Sequence, residues 1–336
     1  MRAILVDRYL KSPEELVITE NAPEPDALKP GQVLVQVVAV GLNFYEVLMI
    51  QGKYQTKPKF PFLLGTEFAG IVLKVNDGQN PGKYGRVKVG DRVFGSAAGT
   101  HCEKIVCNMK EVLRIPPGLS FEEAAGVFMN YMTSWYGLVN RGSIQPGEVV
   151  LVHGAAGGVG LTAVQIAKAH NAKVIAMAST EAKRKVCLEQ GADHVIGYEK
   201  GWHDKVKQLT GGRGVDIVYD PVGLLLPSLK CVAPHSRLLV IGFAGGKIES
   251  IPANLCLVKS ASVVGVFFGN FSARNPDKAE RMLADILGAF ESGRLKRPVI
   301  YKVYKGLEGV KEGLLAIMNR EVYGKAVVRI AMGNRL

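Results

Sequence analysis

Residues 150–160, Val-Leu-Val-His-Gly-Ala-Ala-Gly-Gly-Val-Gly, constrain this chain more than any other stretch. An apolar strand runs into a glycine-rich turn, and a helical pattern follows from Leu161 to His170. Gly157 lets the backbone approach a bound group closely, and Gly160 lets the helix pack against the strand. The helix start offers free N–H groups and the positive end of a dipole, which suits a pyrophosphate. Ala155 takes the place of the first glycine of the usual G-x-G-x-x-G pattern. A turn without a ligand could use the same residues, so the surrounding organisation has to decide.

That organisation is an alternation. Strand patterns at 149–152, 173–178, 195–196, 215–219 and 237–242 are separated by helical stretches, one of which (181–190) is closed by Gly191. Such spacing predicts βαβ units and a doubly wound parallel sheet. Upstream, β-branched runs at 31–40 and 68–75 and a short run at 90–95, punctuated by Gly, Pro and Asp, predict a small barrel. Ser120-Phe121-Glu122-Glu123 reads as a capping box at the change of pattern. Residues 262–268 read as an outer strand, 276–290 as an amphipathic helix and 325–330 as a final strand. The expected fold class is α/β, a β-rich domain plus a doubly wound parallel-sheet domain.

The strand after the turn ends at Ala178-Ser179. Binders of the unphosphorylated dinucleotide usually place Asp or Glu there for the ribose 2′-hydroxyl. No acid stands at that end, although Glu181 is close, and Lys183, Arg184 and Lys185 follow. An acid would repel a 2′-phosphate, whereas a small residue beside cations would bind it. One hydrogen bond to a charged group contributes about 1.5–3 kcal/mol. The cofactor expected is therefore NADPH, held by Ala156, Gly157, Gly158 and Val159 at the turn, Ser179 and Lys183 at the phosphate, and Tyr198 as a further hydroxyl donor. The same three cations would also suit a solvated helix face.

The chain carries 42 Lys and Arg against 30 Asp and Glu, a formal charge of +12. That balance invites nucleic acid, membrane headgroups or anionic small molecules. The cations come in short groups, such as Lys57 with Lys59 and Lys205 with Lys207, below the about five or six like charges of a binding tail. Aromatics do not interleave with them, so nucleic-acid binding is not expected. No apolar run is long enough to span a membrane. Cys102, Cys107, Cys187, Cys231 and Cys256 are an odd, scattered set that fits a reducing compartment. Residues 1–6 read as a strand rather than a signal peptide, and the expected location is cytoplasmic. Asn334-Arg335-Leu336 loosely resembles a peroxisomal Ser-Lys-Leu address, with Asn a poor match.

Further blocks run in order through the chain: Gly41-Leu42-Asn43-Phe44, Gly52-Lys53-Tyr54, Pro61 to Gly70, Gly90-Asp91-Arg92-Val93, Thr133 to Tyr136, Gly191-Ala192-Asp193 and Tyr219 to Gly223. With the glycine turn they resemble the zinc-free quinone oxidoreductases of the medium-chain dehydrogenase/reductase superfamily, the branch that includes zeta-crystallin. The resemblance covers essentially the whole chain. It implies a GroES-like catalytic domain from residues 1–122 and 267–336, a Rossmann domain from 123–266, and an active-site cleft between them. It implies that Asn43, Tyr54 and Thr133 face nicotinamide and substrate, and that Lys183 and Tyr198 hold the 2′-phosphate. Gly242-Phe243 and Phe267-Phe268-Gly269 would pass beside the nicotinamide, and Val222 would join the cofactor site near Asp220 and Gly223. The stretch Val263 to Phe267 would pair with a second subunit to give a homodimer.

Zinc alcohol dehydrogenases hold catalytic zinc with Cys, His and a further Cys. By the resemblance, Asn43 stands at the first Cys and Thr66 at the His, so no metal is expected. His101, Cys102 and Cys107 have the wrong spacing for a tetrahedral site. Some members carry a second tyrosine where this chain has Leu48; Tyr45 either compensates or points into the core. The implied activity is hydride transfer from NADPH to a quinone or an electron-poor enone. Negative charge then develops on oxygen and must be met by donors or water, for which Asn43 and Tyr54 are the candidates. Asn43 also reads as a turn residue serving local backbone groups. The alternatives are an enoyl-CoA or enone reductase of the same superfamily, and a non-enzymatic role in binding AU-rich RNA or as a structural protein.

Overall fold

A computed structural model describes residues 1–25, 27–77 and 87–330. The carboxyl-terminal Asn334-Arg335-Leu336 lies outside the described residues. The chain forms two compact units, Met1–Met129 with Pro298–Leu336, and Asn130–Arg297.

The first unit is organised by the strand Gln32–Gly41, whose β-branched side chains are buried along nearly its whole length. It pairs antiparallel with Glu67–Asn76, Lys104–Asn108 and Lys325–Arg329. Register shifts at Leu34/Val35 and Val37/Ala39 bend it so that it serves several neighbours. Arg92–Ser96, Val112–Arg114 and Ile300–Lys305 complete a seven-stranded sheet, and Ala3–Val6, Val17–Thr19 and Phe62–Leu63 form a second one. The bridge between Ala3 and Cys102 links the two sheets, which together make the β-rich unit that the strand spacing predicts. Val35, Val37, Val40, Phe68, Val72, Leu314 and Val328 share one core, each contributing about 1.5–3 kcal/mol by burial. Ser120 caps the helix Phe121–Ala125 as its sequence predicts: Glu123 N donates to Ser120 Oγ at 3.1 Å, and Ser120 N donates to Glu123 Oε2 at 2.8 Å.

The second unit is a six-stranded parallel sheet. Its spatial order is His194–Ile196, Lys173–Met177, Val149–Val152, Val215–Asp220, Val232–Val240 and Ser262–Gly265. Numbered along the chain this is 3-2-1-4-5-6, the order that opens a ligand crevice beside the first strand's carboxyl end. Leu151, Ile175, Val218 and Leu238 fill its core.

Two sequence expectations are corrected here. The outer strand ends at Gly265 instead of reaching Phe268, and the helix Phe268–Arg274 begins where strand was expected. Aromatic packing draws the chain away, since Phe268 is buried and the Phe271 ring stacks 4.3 Å from that of Tyr136. The expected boundaries, 1–122 with 267–336 and 123–266, also shift: residues 267–297 belong to the second unit. The helix Pro276–Glu291 sets its Phe290 ring 4.9 Å from Tyr131, and Lys296 Nζ donates to Glu189 O.

Candidate active site

The candidates of the first unit gather where the strand Gln32–Gly41 hands over to the helix Phe44–Ile50, whose N-cap is Asn43. Asparagine is favoured there because its side chain can accept from a free helical N–H. Asn43 does serve the local turn, since it forms a capping box with Glu46. Its side-chain amide also meets two charged groups. Asn43 Nδ2 donates to Glu67 Oε1 at 2.9 Å, and Lys325 Nζ donates to Asn43 Oδ1 at 2.7 Å. Lys325 Nζ also pairs directly with Glu67 Oε1, and Met129 N donates to Glu67 Oε2 at 3.0 Å. Exposure is 0% for Glu67, 3% for Lys325 and 8% for Asn43. Buried charges persist when they are paired and hydrogen-bonded, and both conditions hold. The amide is thus fixed at both ends, with one Nδ2 hydrogen left for a further acceptor. Gly41 makes room for this: a Cβ there would lie against Ala125 O and 2.7 Å from both Glu67 Oε1 and Lys325 Cε.

Beside the cluster, Glu46 Oε2 accepts from Asn43 N at 3.2 Å and lies 3.4 Å from His101 Nε2. Tyr54 follows the helix in a loop, its ring 5.3 Å from that of Tyr45. Burial raises the Tyr54 pKa, so the phenol stays protonated. Tyr45 points to Thr66, whose Oγ1 meets its hydroxyl. Burial, then the charges of Glu46 and Glu67, push the Tyr45 pKa well above the ordinary value. Among the described residues no group of three or more His, Cys, Asp or Glu is arranged to hold a metal ion. Cys102 and Cys107 are buried thiols, each pushed up to about 12 by burial.

In the second unit the candidates stand at the carboxyl ends of the parallel strands. Gly157 is the N-cap of the helix Gly158–Ala169 and supplies no side-chain cap, so no cap meets the first-turn N–H groups. A Cβ at Gly160 would lie against Gly154 O and 2.7 Å from Ala155 Cα, and one at Gly158 would lie 2.6 Å from Asn130 Nδ2. Ala156 and Val159 complete the turn. Ser134 Oγ donates to Val159 O at 2.8 Å and is hydrogen-bonded to Thr162 Oγ1 (2.7 Å) and Tyr219 Oη (2.8 Å). These bonds hold Thr133, on the helix Phe128–Trp135, close to the turn.

Asp220 organises the next edge. Its carboxylate accepts from Val222 N (2.8 Å), Gly223 N (3.0 Å) and Leu224 N (2.5 Å). Burial raises its pKa while these three bonds oppose the rise. The turn sets Val222 Cγ2 3.1 Å from where a Gly154 Cβ would stand, and a Gly242 Cβ would lie 3.4 Å from Pro221 O. Phe243 Cδ1 comes within 3.4 Å of a Cβ built at Gly223. Phe267 is 44% exposed and Phe268 is buried, with Gly269 in the helix they begin.

At the end of the strand Lys173–Met177, Thr180 Oγ1 caps the next helix by accepting from Lys183 N at 3.3 Å. Arg184 Nη1 donates to Ala178 O at 3.2 Å and reaches Ser179 O at 3.5 Å. Tyr198 is engaged beneath the turn: Gly154 N donates to its hydroxyl at 2.7 Å, leaving the phenolic hydrogen toward Met177 O at 3.4 Å. Burial pushes that phenol up to about 12. His153 is fully buried against Ser228 Oγ at 2.8 Å, and burial lowers its pKa to about 3, so it is a neutral structural group. Sequence reasoning missed Glu67, Lys325, Asn130 and the Ser134–Thr162–Tyr219 hydroxyls.

The chain is similar to known proteins. A family model described as "Alcohol dehydrogenase GroES-like domain" matches residues 29–140, and one described as "Zinc-binding dehydrogenase" matches 158–285. The chain is 37% identical to the quinone oxidoreductase-like protein 2 homolog of Nematostella vectensis, over 93% of this chain and 85% of that one. It is 34% identical to the human quinone oxidoreductase, over 93% of this chain and 92% of that one. The crystal structure of Escherichia coli quinone oxidoreductase complexed with NADPH superposes with a TM-score of 0.85 at 29% identity, covering 98% of this chain and 100% of that one. Fold, residue blocks and relatives agree: the chain belongs to the quinone oxidoreductases of the medium-chain dehydrogenase/reductase superfamily.

Proposed function

We propose that this protein is a zinc-independent, NADPH-dependent reductase that passes hydride to quinones or related electron-poor enones. The observation that carries the reading is the Asn43–Glu67–Lys325 cluster. An ammonium group already occupies the oxygens of Asn43 and Glu67 that a metal would need. A cation at that point opposes a second cation and leaves an oriented amide to do the polar work.

The chain's own residues fit the cofactor. The uncapped N–H groups at Gly158 to Gly160 suit a pyrophosphate, and Val222, Gly242 and Phe243 flank the turn. Lys183 and Ser179 would hold the 2′-phosphate with Arg184, whose guanidinium lies at the strand end. Tyr198 would have to exchange its weak Met177 contact for that phosphate. When bound, NADPH supplies the hydride from C4 of its nicotinamide. Asn43 orients the acceptor through its remaining N–H, and the protonated phenol of Tyr54 donates to the oxygen that gains charge. Thr133, Phe267, Phe268 and Gly269 serve the nicotinamide end.

We further propose a homodimer. Ser262–Gly265 is the last strand of its sheet, with Val263 42% exposed and Leu257 80% exposed nearby. An open apolar edge invites another strand, and a two-fold partner would add its own copy antiparallel. Val263→Lys is expected to yield monomers by light scattering; a dimer unchanged by that charge would exclude this edge. A reducing compartment, the cytoplasm, suits the five unpaired cysteines, and no described helix is long and apolar enough to cross a membrane.

The test is stopped-flow oxidation of NADPH and NADH against 1,4-benzoquinone, 9,10-phenanthrenequinone, a simple enone and crotonyl-CoA. Quinone-dependent oxidation with NADPH preferred is expected. Lys183→Ala should weaken NADPH about ten- to a hundredfold and leave NADH nearly unchanged. Turnover of crotonyl-CoA alone would replace the quinone reading with the acyl thioester one. NADPH binding without any turnover would end the reductase reading.

A further inference from the structure

We infer that the paired hydroxyls of Tyr45 and Thr66 form a second hydrogen-bond donor for the oxygen of the reduced acceptor, Tyr45 touching it and Thr66 orienting Tyr45. The inference rests on the reductase reading above and extends the site beyond Asn43 and Tyr54.

Tyr45 is the second residue of the helix Phe44–Ile50, separated from the N-cap Asn43 by Phe44 alone. Thr66 directly precedes Glu67, which accepts from the Asn43 amide. One member of the hydroxyl pair is therefore covalently adjacent to the cluster that fixes Asn43, and the other lies two residues from Asn43 itself. Its backbone is held as well: Ser96 Oγ donates to Thr66 O at 2.8 Å and Ala97 N donates to the same oxygen at 3.0 Å. The Tyr54 ring, 5.3 Å away at an interplanar angle of 33°, limits the swing of the Tyr45 ring.

Two hydroxyls carry two hydrogens, and the bond between them uses one. Among the described residues the Tyr45 and Thr66 hydroxyls bond only each other. If Thr66 donates to Tyr45, the phenolic hydrogen is free for a third oxygen. Among the described residues no protein group supplies that third oxygen, which leaves water or the acceptor. Burial and the carboxylates of Glu46 and Glu67 keep the phenol protonated, and a rigid neutral donor is what a developing oxyanion requires. The hydrogen bond strengthens as charge moves onto the acceptor oxygen; no covalent bond to the protein forms, and solvent supplies the proton that completes the product. An Asn–Tyr–Tyr donor set favours acceptors with a carbonyl oxygen conjugated to the carbon that receives hydride.

The experiment compares wild type with Tyr45→Phe, Thr66→Val and Thr66→Ser, in the full chain with NADPH. It reads kcat and KM for 9,10-phenanthrenequinone and a simple enone, the NADPH Kd, and the thermal midpoint. Tyr45→Phe should lower kcat about 10²-fold with KM, Kd and midpoint little changed. Thr66→Val should lower kcat in the same direction, and Thr66→Ser should recover most of it, because only the hydroxyl matters. Wild-type kcat in Tyr45→Phe overturns the inference. If Tyr45→Phe does not fold, equal kcat in Thr66→Val and Thr66→Ser overturns it instead. A wild type that oxidises NADPH with neither acceptor overturns the reductase reading itself, a result distinct from either of those.

Discussion

Truncating Lys325 to alanine is expected to destabilise the first unit by about 3–5 kcal/mol, the usual cost of leaving one partner of a buried ion pair alone, and to abolish turnover. The cause is Glu67, which is fully buried and accepts from Lys325, Asn43 and Met129 N. Without the ammonium, two neutral donors face a full negative charge in a dry site. Asn43 loses the donor to its Oδ1 at the same time, so its amide is held at one end only, by Glu67 Oε1. Charge and geometry can be separated by a second variant. Lys325→Met with Glu67→Gln removes both charges while keeping similar volumes, and such replacements are often neutral. The double variant should regain more than half of the lost stability in urea unfolding, with turnover still absent because an amide at position 67 can accept from or donate to Asn43 and no longer fixes its orientation. A double variant as unstable as Lys325→Ala would mean that packing, not charge, explains the loss.

Lys325 also marks where sequence reading stops. It opens a strand after Gly324 and reads as an ordinary exposed strand-end cation, yet its partners lie 258 and 282 positions away. Local periodicity carries no information about such a pair. Glu67 lies within the stretch Pro61 to Gly70, where nothing in its neighbours announces full burial. By contrast, the parallel sheet was readable because each strand is a continuous apolar run bounded by its own turn, and the Ser120 cap because its bonds are local. The outer strand was overextended because Val263 to Phe268 suits either strand or packed helix start. Only the position of Tyr136, stacked on Phe271, decides between them. The helix Pro276–Glu291 was recognised from its apolar stripe, but a stripe does not say which body it covers; Tyr131 settles that.

Gly160→Ala is expected to weaken NADPH binding about 10²–10⁴-fold, the loss of about two charge-assisted hydrogen bonds, while the protein still folds. A Cβ at this position would press on Gly154 O and sit 2.7 Å from Ala155 Cα and 2.8 Å from Ala155 C. All three atoms are backbone, so no rotamer change relieves the contact, and either the turn or the helix Gly158–Ala169 must shift. Overpacking of this kind costs about 1–3 kcal/mol. Alanine's better helix propensity returns about 1 kcal/mol of that, so the stability change is the smaller of the two effects. The larger falls on the N–H groups of the first turn, whose aim at a pyrophosphate depends on the helix keeping its distance from Gly154. Gly288→Ala is the matched control, in a helix where a Cβ meets nothing within 4 Å. It should stabilise slightly and leave NADPH affinity at the wild-type value in calorimetric titration. If Gly160→Ala binds NADPH as tightly as Gly288→Ala does, the dinucleotide does not sit on this turn. A large loss in Gly160→Ala alone ties the cofactor to the helix that begins at Gly158.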